Sequence, residues 1–250
     1  LNSEDTYTVN WPADKFGVAY WPLNLDVKDV GGYYDGTATD VTYTNGQFNQ
    51  AAIFNGSSSY IDTTFFWPPI STVSVSIWFN VTTSSPRWTM FGDYDAAGAD
   101  ISGRFSLTID SSNNFEVNTA NGSSSDTWAT ISASPYFNGA WHHLVMTANG
   151  TALKLYLDGI LLGSDTSTVS IGTAGAQSLV FGRAGDYNGN YMNGQLEQCR
   201  IYTSELSLTD VQDIYNNSKK KIKIERIRMH GDKNMGVCKK EKYDFEINIS

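Results

Sequence analysis

Trp141-His142-His143-Leu144-Val145-Met146-Thr147, followed by Ala148-Asn149-Gly150 and Leu153-Lys154-Leu155-Tyr156-Leu157-Asp158-Gly159, is the stretch that decides the fold. In its first half Leu144 and Met146 alternate with His143, Val145 and Thr147. In its second half Leu153, Leu155 and Leu157 point one way and Lys154 and Tyr156 the other. A period of two marks strands with one face turned to a core. Asn149-Gly150 between them is a turn signal, because both residue types tolerate positive φ. The spacing therefore predicts a hairpin.

Further segments of the same character lie on both sides. Upstream are Ala19-Tyr20-Trp21-Pro22-Leu23, then Ala52-Ile53-Phe54-Asn55-Gly56 with Tyr60-Ile61-Asp62, then Val73-Ser74-Val75-Ser76-Ile77-Trp78-Phe79. Downstream are Leu179-Val180-Phe181-Gly182, then Gly194-Gln195-Leu196 running into Cys199-Arg200-Ile201-Tyr202, and finally Leu206-Ser207 leading to Val211 through Tyr215. In this order the pieces resemble a laminin G-like, concanavalin A-like jelly-roll domain, in which a Trp-His-His strand precedes a Leu-Tyr-x-Asp-Gly strand. The resemblance implies an all-β fold, a sandwich of two antiparallel sheets. It implies less about function, since this fold carries lectins, adhesion modules, structural proteins and glycan-cleaving enzymes.

Composition fits one large sandwich. The chain has 250 residues, enough for a core that is stable without staples. Glycine is abundant, Ser, Thr, Asn, Tyr and Trp are prominent, and only 17% of residues are charged. That profile suits a many-stranded extracellular, secreted, virion-surface or cell-surface module. No apolar run approaches the roughly 18 residues that span a bilayer. No signal peptide is recognisable, and the chain starts at Leu1; a processed mature chain and an artificial start both fit. Six Asn-x-Ser/Thr sequons (Asn55, Asn80, Asn121, Asn149, Asn216, Asn248) point only slightly to a glycoprotein.

Charge divides the chain. Residues 1–218 hold 7 Lys/Arg against 21 Asp/Glu, a net of −14, and residues 219–250 hold 10 against 5, a net of +5. Residues 1–15 read as an N-terminal arm, 16–217 as the jelly-roll domain and 218–250 as a basic C-terminal extension. Leu208 to Asn217 reads as a short closing helix with Ser207 as N-cap. In the extension Tyr243, Phe245, Ile247 and Ile249 alternate with Asp244, Glu246 and Asn248, a strand pattern. The extension is disordered, or docks as strands on the sandwich or on another copy, or begins a further domain. Lys runs bind phosphate, but no nucleic-acid motif is present and the acidic sandwich would repel a polyanion. Cys199 lies beside Ile201 on an apolar face; it is a buried thiol or is paired with Cys238.

Glycosidic hydrolysis needs two carboxylates facing one sugar. Glucanases of this fold present them as alternating Glu-x-Asp-x-x-Glu, and the chain contains no such run. Neither Glu116 nor Glu197, the two Glu in well-supported strands, has a carboxylate two residues away. The resemblance also implies a structural Ca²⁺ held by Glu197 and the Gly56 carbonyl, although the family usually has Asp at both matching strand positions, where Glu197 and Gln198 stand here. A solvated Glu197 is the other reading.

Several aromatics fall outside the strand pattern. Trp67, Trp88, Tyr94, Trp128, Tyr136, Tyr187 and Tyr191 lie in or beside predicted loops, whereas Trp21, Trp78 and Trp141 read as core. A sugar site wants an aromatic plate beside Asp, Asn or backbone groups. Asp93-Tyr94-Asp95 and Asp186-Tyr187-Asn188-Gly189-Asn190-Tyr191 have that character. The expected carbohydrate site is therefore drawn from Trp88, Asp93, Tyr94, Trp128, Tyr187, Asn188 and Tyr191. The same aromatics could instead cap the sandwich or form a protein interface. Three functions follow in order: a non-catalytic module that binds a glycan or glycoprotein; a structural subunit of a virion, filament or extracellular coat whose arm and tail contact neighbours, with residues 219–250 meeting copies of itself or an assembly partner; and a glycan-cleaving enzyme.

Overall fold

The computed structural model describes residues 17–219 apart from 69, 83–86, 94–104, 121–124, 167–176 and 186–188. The strands are β1 (Gly17–Trp21), β2 (Gly36–Thr39), β3 (Thr42–Asn45), β4 (Gln50–Asn55), β5 (Tyr60–Phe66), β6 (Val73–Asn80), β7 (Trp88–Gly92), β8 (Phe105–Ile109), β9 (Asn114–Ala120), β10 (Ser125–Ser132), β11 (Trp141–Ala148), β12 (Ala152–Leu157), β13 (Ile160–Thr166), β14 (Ser178–Phe181) and β15 (Asn193–Tyr202). One helix, α1 (Leu208–Lys219), follows them. An eight-stranded sheet runs β13-β12-β11-β6-β15-β4-β3, with β1 also paired to β15, and a seven-stranded sheet runs β10-β9-β8-β7-β14-β5-β2. Every pairing is antiparallel. The fold is the expected two-sheet jelly-roll sandwich. The arm 1–15, Cys238 and the extension from residue 220 lie outside the described residues.

The hairpin that decided the fold forms as the alternation requires. Leu144 pairs with Leu157, Met146 with Leu155 and Ala148 with Leu153, and all six are buried. At the β11–β12 turn only Gly150 takes positive φ; Asn149 instead uses its side-chain oxygen to accept the Thr151 and Ala152 amides. The next turn has positive φ at both Asp158 and Gly159, the mark of the tight turn that matches strand twist. Asp158 links the two halves of the motif. Its carboxylate meets His142 Nδ1 at 2.7 Å and accepts the His143 amide at 2.9 Å, while its own amide donates to the His143 carbonyl.

The main core lies between the sheets. Ile77, Phe79, Leu144 and Leu155 of one sheet meet Leu107, Val117 and Phe181 of the other. Trp21 spans the gap, edge-on to Phe181 and Phe65, and its indole N–H donates to the Tyr34 carbonyl. A second, smaller core lies on the outer side of the eight-stranded sheet, where Val211 and Ile214 of α1 pack on Val145, Tyr156 and Tyr202. Trp78 is buried there, stacked with His143 and Tyr215, and not between the sheets. Trp141, expected in the core, opens β11 and is half-buried. Ser207 begins α1 as expected. Its hydroxyl accepts the Asp210 amide, and the Asp210 carboxylate accepts the Ser207 amide and hydroxyl, a reciprocal cap.

β15 carries the one irregularity that matters for the site. Gln198 has φ +51° and the pairing with β6 slips between Glu197 and Arg200. An inserted residue of this kind re-aims its neighbours. Leu196 and Cys199 therefore both face the core, and Glu197 is left on the outer side opposite Trp78.

Candidate functional site

The structure scatters the residues expected to bind sugar. Trp88 and Trp128 are not loop residues: they lie in β7 and β10, which begin at Trp88 and Ser125, and are buried in the core. Trp67 is equally buried. Asp93 ends β7, buried, with Oδ1 accepting the Phe105 amide at 3.2 Å. Tyr191 is half-buried at the other end of β7, where the Asn190 carbonyl accepts the Thr89 amide. Asp93 and Tyr191 are thus separated by the length of a strand and cannot share one sugar ring. Tyr94, Tyr187 and Asn188 lie outside the described residues.

The metal reading meets a geometric obstacle. Asn55 pairs with Asn193, next to Gly56, while Leu196 pairs with Ala52, so Gly56 and Glu197 sit at opposite ends of β4. At about 3.3 Å per residue they are on the order of 15 Å apart. The Glu197 carboxylate accepts the Gln47 amide at 3.0 Å and the Phe48 amide at 3.5 Å. A Cβ at position 46 would lie 2.3 Å from Oε2, so only Gly46 allows this approach. Amide N–H groups aimed at both oxygens suit an anion; Ca²⁺ wants carbonyl oxygens there. The donor set does not fit the expected ion. Among the described residues no three His, Cys, Asp or Glu side chains cluster as ligands. Burial pushes the Glu197 carboxyl up to about 7, partly opposed by the Phe48 and Gln47 amides.

The groups that resemble nucleophile chemistry are sealed. Ser76 Oγ lies 2.8 Å from His143 Nε2, but both residues are fully buried beneath α1. Burial, followed by the Glu197 charge, pushes the Cys199 thiol well above its ordinary value, which leaves it protonated.

The outer side of the seven-stranded sheet is different in kind, being polar rather than apolar. Alternation along β7, β8, β9 and β10 turns Thr89, Ser106, Thr108, Glu116, Asn118 and Thr127 outward. They satisfy one another. Arg87 forks onto Glu116, Asn118 donates to Glu116, Thr127 donates to Asn118, and the Thr89 and Thr108 hydroxyls meet at 3.1 Å. Nearer the β2 edge the same side is open. Along β5 the outward residues are Tyr60, Asp62, Thr64 and Phe66, with Ile61 and Phe65 turned to the core. Phe66 is 51% exposed. Tyr33, whose carbonyl accepts the Thr64 hydroxyl, is 80% exposed. Asp62 is half-buried, and Oδ1 accepts the Ser178 hydroxyl at 2.8 Å. Arg183 lies 3.7 Å from the centre of the Tyr60 ring. The solvent-facing Phe66 ring thus shares one strip with a carboxylate and a hydroxyl, and the backbone of exposed Tyr33 meets that strip at Thr64.

Glu116 and Asp62, carboxylates on this side, are four strands apart. At about 4.8 Å per strand that is roughly 19 Å, beyond the roughly 5–9.5 Å that glycoside cleavage uses.

A family model described as "Concanavalin A-like lectin/glucanases superfamily" matches residues 35–212. The chain belongs to that superfamily. It includes both binding modules and glycosidases. No curated protein matches the sequence. Among solved structures, domain 4 of AbnA, an extracellular GH43 arabinanase from Geobacillus stearothermophilus, in complex with arabinotriose, is similar at 23% identity and TM-score 0.59, over 79% of this chain and 97% of that one. The receptor-binding domain of botulinum neurotoxin C/D mosaic serotype is similar at 19% identity and TM-score 0.65, over 82% of this chain and 52% of that one. The binding domain of botulinum neurotoxin DC, in complex with SialylT, is similar at 15% identity and TM-score 0.65 with the same coverage. The chain spans about half the length of these toxin domains. At such identities the likeness is one of fold.

Proposed function

We propose that this chain is a non-catalytic carbohydrate-binding module of an extracellular or surface protein. It holds its ligand on the outer side of the seven-stranded sheet, along β5. The observation that carries the reading is the exposed ring of Phe66 on one strip with Asp62 and Thr64, with exposed Tyr33 joined to Thr64 through its carbonyl. A pyranose or furanose offers an apolar C–H face to such rings and hydroxyls to the carboxylate. The complexes of related folds with arabinotriose and SialylT support a sugar as ligand. The wide separation of Glu116 and Asp62 supports binding without cleavage.

Phe66→Ala and Tyr33→Ala are each expected to weaken glycan binding about tenfold or more, equivalent to about 1.4 kcal/mol. Both rings are exposed, so the melting temperature should hardly move. Calorimetric titration beside thermal melts checks this. If either variant melts markedly lower, the rings belong to the fold and not to a ligand.

One observation favours a second role in assembly. β13 is an edge strand, and it exposes Ile160 (66%) and Leu161 (46%) beside Leu208 (45%) at the start of α1. An open apolar edge is a template for another strand. The alternating segment Tyr243 to Ile249 of the basic extension has the pattern to supply it, on a neighbouring copy. Removing residues 220–250, which leaves α1 whole, should give a folded monomer and abolish higher-order species in light scattering after size exclusion. A full-length chain that stays monomeric at high concentration would eliminate this role.

A further inference from the structure

We infer that the β5 strip selects an uncharged oligosaccharide and discriminates against sialylated or sulfated chains. The inference rests on the carbohydrate-binding reading above and concerns the ligand's class. Charge argues it first. Asp62 lies on the strip and Asp35 and Asp40 flank the neighbouring edge strand β2, while Lys28 is the single basic residue between Pro22 and Phe66. Arg183, a cation on the strip itself, is buried over Tyr60; away from the strip Arg87 is forked onto Glu116, Lys154 meets Glu205 at 2.6 Å and Arg200 is buried over Tyr20. With residues 1–218 at a net of −14, an anion approaches this strip against the field of the whole sandwich. An anionic sugar would also meet the Asp62 carboxylate, whose Oδ2 makes no hydrogen bond among the described residues. That oxygen suits a sugar hydroxyl as donor.

Reach argues it second. Asp62 and Phe66 stand opposite Val180 and Ser178 of β14, which are only two residues apart, because the pairing of β5 with β14 is irregular between them. At ~3.3 Å per residue that is about 7 Å, so one neutral sugar can meet the Phe66 ring and the Asp62 carboxylate together. Neutral hydroxyls on it would complete the strip without displacing the Ser178–Asp62 bond.

The test titrates the full chain with neutral gluco-, xylo- and arabino-oligosaccharides from the disaccharide upward, and with lactose against sialyllactose and a chondroitin sulfate oligosaccharide. Each titration is run at low and at physiological salt, with Phe66→Ala and Lys28→Ala alongside wild type. We expect the neutral sugars to bind with an affinity that changes less than twofold with salt. Sialyllactose should bind at least tenfold more weakly than lactose, and Phe66→Ala should lose the neutral ligand while Lys28→Ala keeps it. Sialyllactose or chondroitin sulfate bound more tightly than the neutral chains, with a steep salt dependence and sensitivity to Phe66→Ala, would overturn the ligand class and leave a carbohydrate module standing. Binding that ignores Phe66→Ala would overturn the strip as the site. Failure of every sugar to bind would overturn the underlying reading itself.

Discussion

Trp88→Ala should destabilise the fold by about 3–5 kcal/mol, the cost of truncating a buried Trp and leaving a cavity. Trp88 opens β7, pairs with Ile109 across β8 and is fully buried in the inter-sheet core, with its ring facing Phe137 at 5.9 Å. Its indole N–H has no hydrogen-bond partner among the described residues, so the ring is held by packing. Denaturant titration is the measurement: a midpoint shift with unchanged slope reports lost stability. Any loss of sugar binding in this variant should track unfolding. That outcome separates Trp88 from Phe66 and Tyr33, whose truncation should cost binding and not stability. A Trp88→Ala protein with wild-type stability would mean that β7 is placed in the wrong register.

The contrast between these aromatics shows what the sequence discloses. The hairpin Trp141 to Gly159 was legible because a two-residue period and a turn signal coincide there. The device that ties it, Asp158 on His142 and the His143 amide, was visible only as a family motif. Trp88 and Trp128 were read as loop residues because Ser84-Ser85-Pro86-Arg87 and Asn121-Gly122-Ser123-Ser124 precede them, and such residues mark turns. The strands start just beyond those turns, and a strand boundary is the weakest part of a pattern reading. Phe66 had a usable signal that adjacent aromatics hid. In Tyr60-Ile61-Asp62-Thr63-Thr64-Phe65-Phe66, inward Ile61, Thr63 and Phe65 place Phe66 on the same side as Asp62 and Thr64. Tyr33 had no such signal, because its position depends on a loop folding back beside Thr64, a contact between residues 31 apart. Glu197 could not be placed either. The inserted residue at Gln198 breaks the alternation that would have located it, and positive φ at a glutamine leaves no mark in the sequence.

Glu197 supplies the second large effect, a stability that falls as pH rises. Its carboxyl titrates near 7 in the folded protein and near the ordinary 4.5 when unfolded, with burial as the main cause. Below 4.5 it is protonated in both states, and its neutral form carries no ionisation cost. Between 4.5 and 7 the unfolded chain releases this proton while the folded one keeps it, so the unfolded state binds fewer protons and stability declines with pH. That difference between 4.5 and about 7 corresponds to roughly 3 kcal/mol lost by neutral pH, after which the curve flattens. Half-buried carboxylates held low, such as Asp110 and Glu205, act in the opposite direction and only at more acidic pH. Comparison with Glu197→Gln isolates the buried group. The variant loses an acceptor for one of the Gln47 and Phe48 amides, and it also loses the titration. The stability difference between the two proteins should therefore change across pH 4.5 to 7 and stay constant above it. Chelator should leave both curves unmoved, because the oxygens of Glu197 face amide donors. A Ca²⁺-dependent rise in melting temperature that vanishes in Glu197→Gln would instead return a metal to this site, and a difference constant in pH would show that the carboxyl titrates normally.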